Sequence, residues 1–159
     1  MRLTLYTDYA LRLLLALAAP RPERVTIADV ARTYGIARNH LTKVAYDLSS
    51  QGLIKTTRGK GGGLALASPP EAINLGTVVR ITEGDFALVP CFGHDPESCR
   101  ILSACKLQHA LHEARAAFMA VLDGYTLPDL ATDDIGALLW RNSAGSNPIW
   151  PNPAVPGTG

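Results

Sequence analysis

The chain has 159 residues, of which 47% are hydrophobic and 18% charged, and its formal net charge is +1. That length can bury one substantial core with appendages. Its longest apolar stretch, "ALRLLLALAAP", is broken by Arg12, too short for a spanning helix and without the cationic lead-in or small-residue cleavage site of a secretory signal, so a cytoplasmic protein is expected.

Residues 1 to 66 carry ten Lys and Arg against four Asp and Glu, and residues 67 to 159 carry five against ten. The amino-terminal half is therefore the one suited to a polyanion. Asp8 to Ala19 reads as a helix whose leucines (11, 13, 14, 15 and 17) wrap most of its circumference, which implies burial on several sides and company beyond its own small domain. In "VTIADVARTYG", Thr26 is the expected amino-terminal cap, Ile27, Val30 and Ala31 recur at helical spacing, and Gly35 stands where a left-handed carboxyl cap is wanted. A second helix follows in "RNHLTKVAYDLSSQG", with Leu41, Val44, Ala45 and Leu48 on one face and Gly52 closing it.

"LIKTTRG" and "GGGLALA" are strand-like runs whose glycine-rich connection makes a hairpin with a basic tip. Asn74 is placed to cap a short helix in "NLGTVVRITEG". Residues 84 to 104 show no sustained periodicity and read as a loop. From Cys105 to Gly124, Leu107, Leu111, Ala114, Phe118, Val121 and Leu122 recur every three or four positions, an amphipathic helix of about five turns. "TLPDLATDDIGALLW" can add a turn or short helix, and the Pro-, Gly- and Asn-rich end cannot support a core. The expected fold is mainly α with a small β-hairpin. Its divisions are a winged helix-turn-helix over 1–83, a loop over 84–104, a long helix with its following turn over 105–130 as a dimer surface, and a flexible tail over 131–159.

Two short helices and a tight turn followed by a basic hairpin form the order of a winged helix-turn-helix, in which the start of the second helix meets the major groove and the wing lies on the backbone or minor groove. Arg38, Asn39, His40 and Lys43 have the chemistry for base edges or phosphate, and Arg58 and Lys60 occupy the wing tip. Any one of these cations can instead be a solvated surface charge, and His40 can cap or pack. Dimerisation is the natural route to affinity for double-stranded DNA with paired half-sites.

All three cysteines, Cys91, Cys99 and Cys105, fall within fifteen positions, with seven and five residues between neighbours. An odd, clustered set in a reducing compartment argues against a disulfide framework. These gaps are unlike the two-residue spacing of zinc knuckles. Such wide spacing suits thiolates wrapped around an iron-sulfur cluster, with zinc and inert thiols as the other readings.

Several motifs, in order, resemble the Rrf-two type of winged-helix regulators and, within it, the nitric-oxide-sensing branch. They are "LTLYTDYALRLLLALA", "IARNHLTKVAYDL", "TTRGKGGGLALA", "VVRITEG", "CFGHDPESCRILSACKL" and "AFMAVLDGYTLPDL", together spanning the chain to about Leu130. The resemblance implies a homodimeric repressor with a 4Fe-4S cluster on Cys91, Cys99 and Cys105, completed by Asp8 of the partner subunit, with nitric oxide as signal and an inverted-repeat operator. For Asp8 the alternative is a helix cap with Thr7. His94 and His109 are rival ligands, because related regulators of the iron-sulfur biogenesis branch hold a 2Fe-2S cluster with a histidine after the third cysteine. The first cysteine gap is also longer than the five residues common in the family. A small iron-sulfur electron-transfer protein is the reading from another class. An enzyme is not expected, since no nucleophile-base pairing, phosphate-cradling loop or recognisable carboxylate pair is present.

Overall fold

The computed structural model describes residues 2–84, 86–92 and 99–141. Seven α-helices and one hairpin run in the order α1 (Leu5–Ala18), α2 (Ile27–Tyr34), α3 (Arg38–Ser50), β1 (Ile54–Thr57), β2 (Gly63–Leu66), α4 (Leu75–Glu83), α5 (Lys106–Asp123), α6 (Leu127–Leu130) and α7 (Asp133–Trp140). This is the mainly helical, winged architecture that the sequence pattern predicts.

Helix α1 is the spine. Ala10, Leu13, Leu14 and Ala16 are completely buried, and α1 packs against α3, α4, β2 and α6. The company expected from elsewhere is thus supplied inside the chain, including a helix that lies beyond residue 83. Its start also differs from the expectation. Thr4 is the cap, accepting the Thr7 amide at 3.2 Å, so the helix begins three residues before Asp8 and Asp8 is not a cap. Glu83, at the end of α4, accepts from the Thr4 amide at 2.8 Å and ties the two helix ends together.

The two helices of the helix-turn-helix follow their local signals. Thr26 and Asp29 form a reciprocal capping box at α2, and Gly35 closes it in the left-handed region at φ 66°. Helix α3 buries Leu41, Val44, Ala45 and Leu48, the face that its periodicity predicts. In the wing, β1 and β2 pair antiparallel with Ile54 opposite Leu66 and Thr57 opposite Gly63. Val25 bridges to Leu64, which seats the hairpin against the start of α2. A side chain at Gly62 would run into the Thr57 carbonyl, so the tight return needs glycine there.

The carboxyl-terminal part divides in two. Helix α5 contributes no buried residue. The chain then turns back: Leu127 is buried, its amide donates to the Ile73 carbonyl, and the Leu75 amide donates to Tyr125. Residues 133–140, where the sequence offers a turn or short helix although the expected tail was drawn from 131, form α7. Thr132 caps it, Asp133 and Asp134 suit the positive end of its dipole, and Leu139 is buried against the amino-terminal half. Residues 142–159 lie outside the described residues. Among those described, no helix is long and apolar enough to cross a membrane.

Candidate nucleic-acid interface and metal centre

The start of α3 presents Arg38, Asn39, His40 and Lys43 in exposed positions. Ala37 caps α3 without a side-chain hydrogen bond, so the first amides keep their donor capacity and the helix dipole adds positive potential at the same place. The His40 ring also rests 5.9 Å from the ring of Tyr9 on α1. It therefore joins the exposed surface to the spine.

Arg38 and Arg58 line one groove of about 350 Å³ between α3 and the wing, whose walls include Thr42, Tyr46, Thr56 and Thr57. Lys60 is exposed at the wing tip. Asn39 and Lys43 are outside the groove lining. Sequence inspection passed over Tyr46, which is 74% exposed. Its spacing held the signal: positions 38, 42 and 46 repeat every four residues and form one strip of a helix.

Beneath α3, two tyrosines of α1 hold it. The Tyr6 hydroxyl donates to the Asp47 carboxylate at 3.0 Å. Burial and then the neighbouring Asp47 charge push the Tyr6 hydroxyl up to about 12, so it stays a donor throughout the physiological range. Tyr6 thus secures the body of α3 and Tyr9 its beginning. Between them in sequence, Asp8 is partly exposed and pairs with Arg12 at 2.9 Å, a spacing of one helical turn. The Arg12 guanidinium also stands 5.6 Å from the ring centre of Tyr34 on α2.

The three cysteines are half-buried and free of disulfides. Cys91 lies in a short helical turn over Pro90–Phe92. Cys99 and Cys105 are joined by a compact turn in which the Leu102 amide donates to Cys99 and the Cys105 amide to Leu102. The Cys105 sulfur caps α5 and accepts the Gln108 amide at 3.4 Å. A helix amino terminus lowers the cost of a thiolate, the form that binds metal. Among the described residues of one chain, no group of three or more His, Cys, Asp or Glu is gathered for a metal ion. Asp8 is not among neighbours of that kind. His109 is on the open face of α5, 3.4 Å from Glu113, with both side chains at least 73% exposed. His94 lies outside the described residues.

An exposed basic helix start and a basic wing on a helix-turn-helix define a DNA-binding protein of the winged-helix class. Residues 3–133 match the Rrf2 family, described as an iron-dependent transcriptional regulator, and the chain belongs to that family. The HTH-type transcriptional regulator NsrR of Bacillus subtilis is 51% identical over 142 residues, covering 87% of this chain and 97% of the relative. NsrR of Halalkalibacterium halodurans is 49% identical over the same span and coverage. Among solved structures, CymR of B. subtilis, the global cysteine regulator of that organism, matches with a TM-score of 0.63 and 28% identity, covering 82% of this chain and 96% of that one. The chain is a transcriptional regulator of the NsrR type and not an enzyme.

Proposed function

We propose that the chain is a repressor that binds an inverted-repeat operator as a homodimer, and that an iron-sulfur cluster sensitive to nitric oxide controls this binding. Cys91, Cys99 and Cys105 would hold the cluster, with Asp8 of the partner subunit as the fourth ligand. The donor set suits the group, since three unpaired, half-buried thiols include one at a helix amino terminus. Bound there as 4Fe-4S, the cluster supplies reactivity toward nitric oxide, with the carboxylate as its harder and more easily displaced ligand.

The observation that carries this proposal is the place of Asp8 on α1. In sequence it falls between Tyr6 and Tyr9, on the same helix, and those two side chains engage Asp47 and His40 of α3. A pull on Asp8 from a second subunit would act on the helix whose tyrosines hold the one that carries Arg38 and Lys43. The exposed apolar residues of α5, Leu107 and Val121, are 67% and 62% accessible in the single chain and supply a surface for the second subunit. In a dimer the spacing of two α3 helices sets the fit to two half-sites, and release of Asp8 changes it.

The test is anaerobic iron and sulfide analysis, followed by gel shifts on an inverted-repeat duplex during a nitric oxide titration. The intact protein binds, and binding falls as the cluster absorbance is lost. Equal operator affinity before and after nitric oxide would refute the coupling. In parallel, Asp8→Ala alters the cluster spectrum and His109→Ala leaves it unchanged; the opposite pattern identifies a 2Fe-2S site with His109.

A further inference from the structure

The segment entering the first cysteine is strapped to α5 at two points. Phe86 stacks on Phe118 with ring centroids 5.6 Å apart and planes 14° from parallel. Phe92, the residue after Cys91, lies against His112 with centroids 3.9 Å apart. On the same Phe92 ring, the Arg115 guanidinium carbon is 5.0 Å from the centre. Arg115 links both points: one of its Nη groups donates to the Phe86 carbonyl at 3.5 Å and the other is 3.4 Å from His112 Nδ1. His112, Arg115 and Phe118 follow every three residues, one face of α5. No residue of α5 is buried, so this arrangement is not a by-product of core packing.

We propose that Phe92 is a positioning residue for Cys91. Packed against the contacting pair of His112 and Arg115, it pins the first cysteine to the helix whose amino terminus carries Cys105. Two of the three thiols are then registered on one rigid element before any metal arrives. Without the pin, the conformational freedom of the chain around Cys91 must be lost at the moment of binding, which weakens the site. The consequence for the cofactor rests on the proposed role of the cysteines as ligands; the pin itself is testable without metal.

In metal-free protein, alkylation of Cys91 by iodoacetamide, followed by peptide mass spectrometry, is expected to be about tenfold faster in Phe92→Ala, the size of one aromatic contact and one cation–π contact together. Cys105 alkylation stays unchanged, and the melting temperature falls by only the few degrees, about 2–4 °C, that loss of those contacts implies. After anaerobic reconstitution with ferrous iron and sulfide, Phe92→Ala loses its visible absorbance to a chelator about tenfold faster than the natural chain, on the same basis. Phe92→Tyr and His112→Phe, which retain the ring contact, behave as the natural chain does.

Unchanged Cys91 alkylation in Phe92→Ala overturns the pin. Cluster loss in His112→Phe as rapid as in His112→Ala also overturns it, because His112 then acts as a ligand. If the natural chain takes up no iron or sulfide, the ligand assignment of the cysteines fails, and the alkylation ratio alone decides the pin.

Discussion

The helix-turn-helix side of the molecule and the α5 side are built in opposite ways. In the first, α1 is enclosed by α3, α4, β2 and α6, and Leu13, Leu14, Val30, Leu41 and Val78 are fully buried. In the second, α5 is the longest helix among the described residues, with 18 residues, and none of them is buried. The first half carries the positive charge and the second the negative. A closed core can present a fixed basic surface to DNA. Helix α5 leaves Leu107 and Val121 uncovered in the single chain, and its amino terminus carries Cys105.

The largest effect expected from this contrast is in the core. Leu13→Ala should lower unfolding stability by about 2–5 kcal/mol, the range for a buried leucine that leaves a cavity. Leu107→Ala should change it by no more than about 0.5 kcal/mol, while weakening self-association in sedimentation equilibrium. Denaturant titration of both variants checks the pair, and equal losses would erase the distinction.

Next in size is the reading helix. Arg38→Ala should reduce operator affinity by about 1–3 kcal/mol at fixed salt, with iron content unchanged. Undiminished binding would move the contact elsewhere along the groove. Tyr6→Phe removes the hydroxyl bond from α1 to Asp47 and should cost about 1 kcal/mol of stability. If α1 transmits the state of Asp8, that variant also binds the operator with less dependence on nitric oxide, which parallel gel shifts would show.

The smallest effect is at acid pH. Burial works to raise the Asp29 pKa, but its bonds with the Thr26 hydroxyl and amide and with Arg32 outweigh burial and leave it below the usual carboxylate range. A depressed pKa in the folded state contributes stability above the unfolded value, near 4. That contribution disappears as pH falls from there through the folded value. Thr26→Ala, which costs about 1 kcal/mol for a lost cap, should therefore narrow its deficit against the natural chain below about pH 4. A deficit constant down to acid pH would detach the capping box from the titration of Asp29.

Much of this architecture was legible in the chain because its signals are local. Thr26, Gly35 and Asn74 bound their helices where residue type predicts, since a side-chain oxygen beside an unpaired amide, or a glycine at positive φ, acts within one turn. Periodicity likewise located α5 from Lys106 to Asp123, and the basic residues of the reading helix and wing were evident from their positions. The groove residue Tyr46 was readable in principle from its four-residue spacing and was overlooked because it carries no charge.

The sequence by itself determined the caps of α2 and α4, the buried face of α3, the basic hairpin and the grouping of three thiols. Tertiary structure alone decided that Glu83 ties the start of α1 to α4, that α6 and α7 return to the amino-terminal half, that Tyr6 and Tyr9 reach α3, and that Phe92 settles against His112 and Arg115. The reason is distance along the chain. Caps and periodic faces depend on neighbours within a few residues, whereas the choice between two equally apolar or aromatic surfaces depends on which elements the whole fold brings into contact.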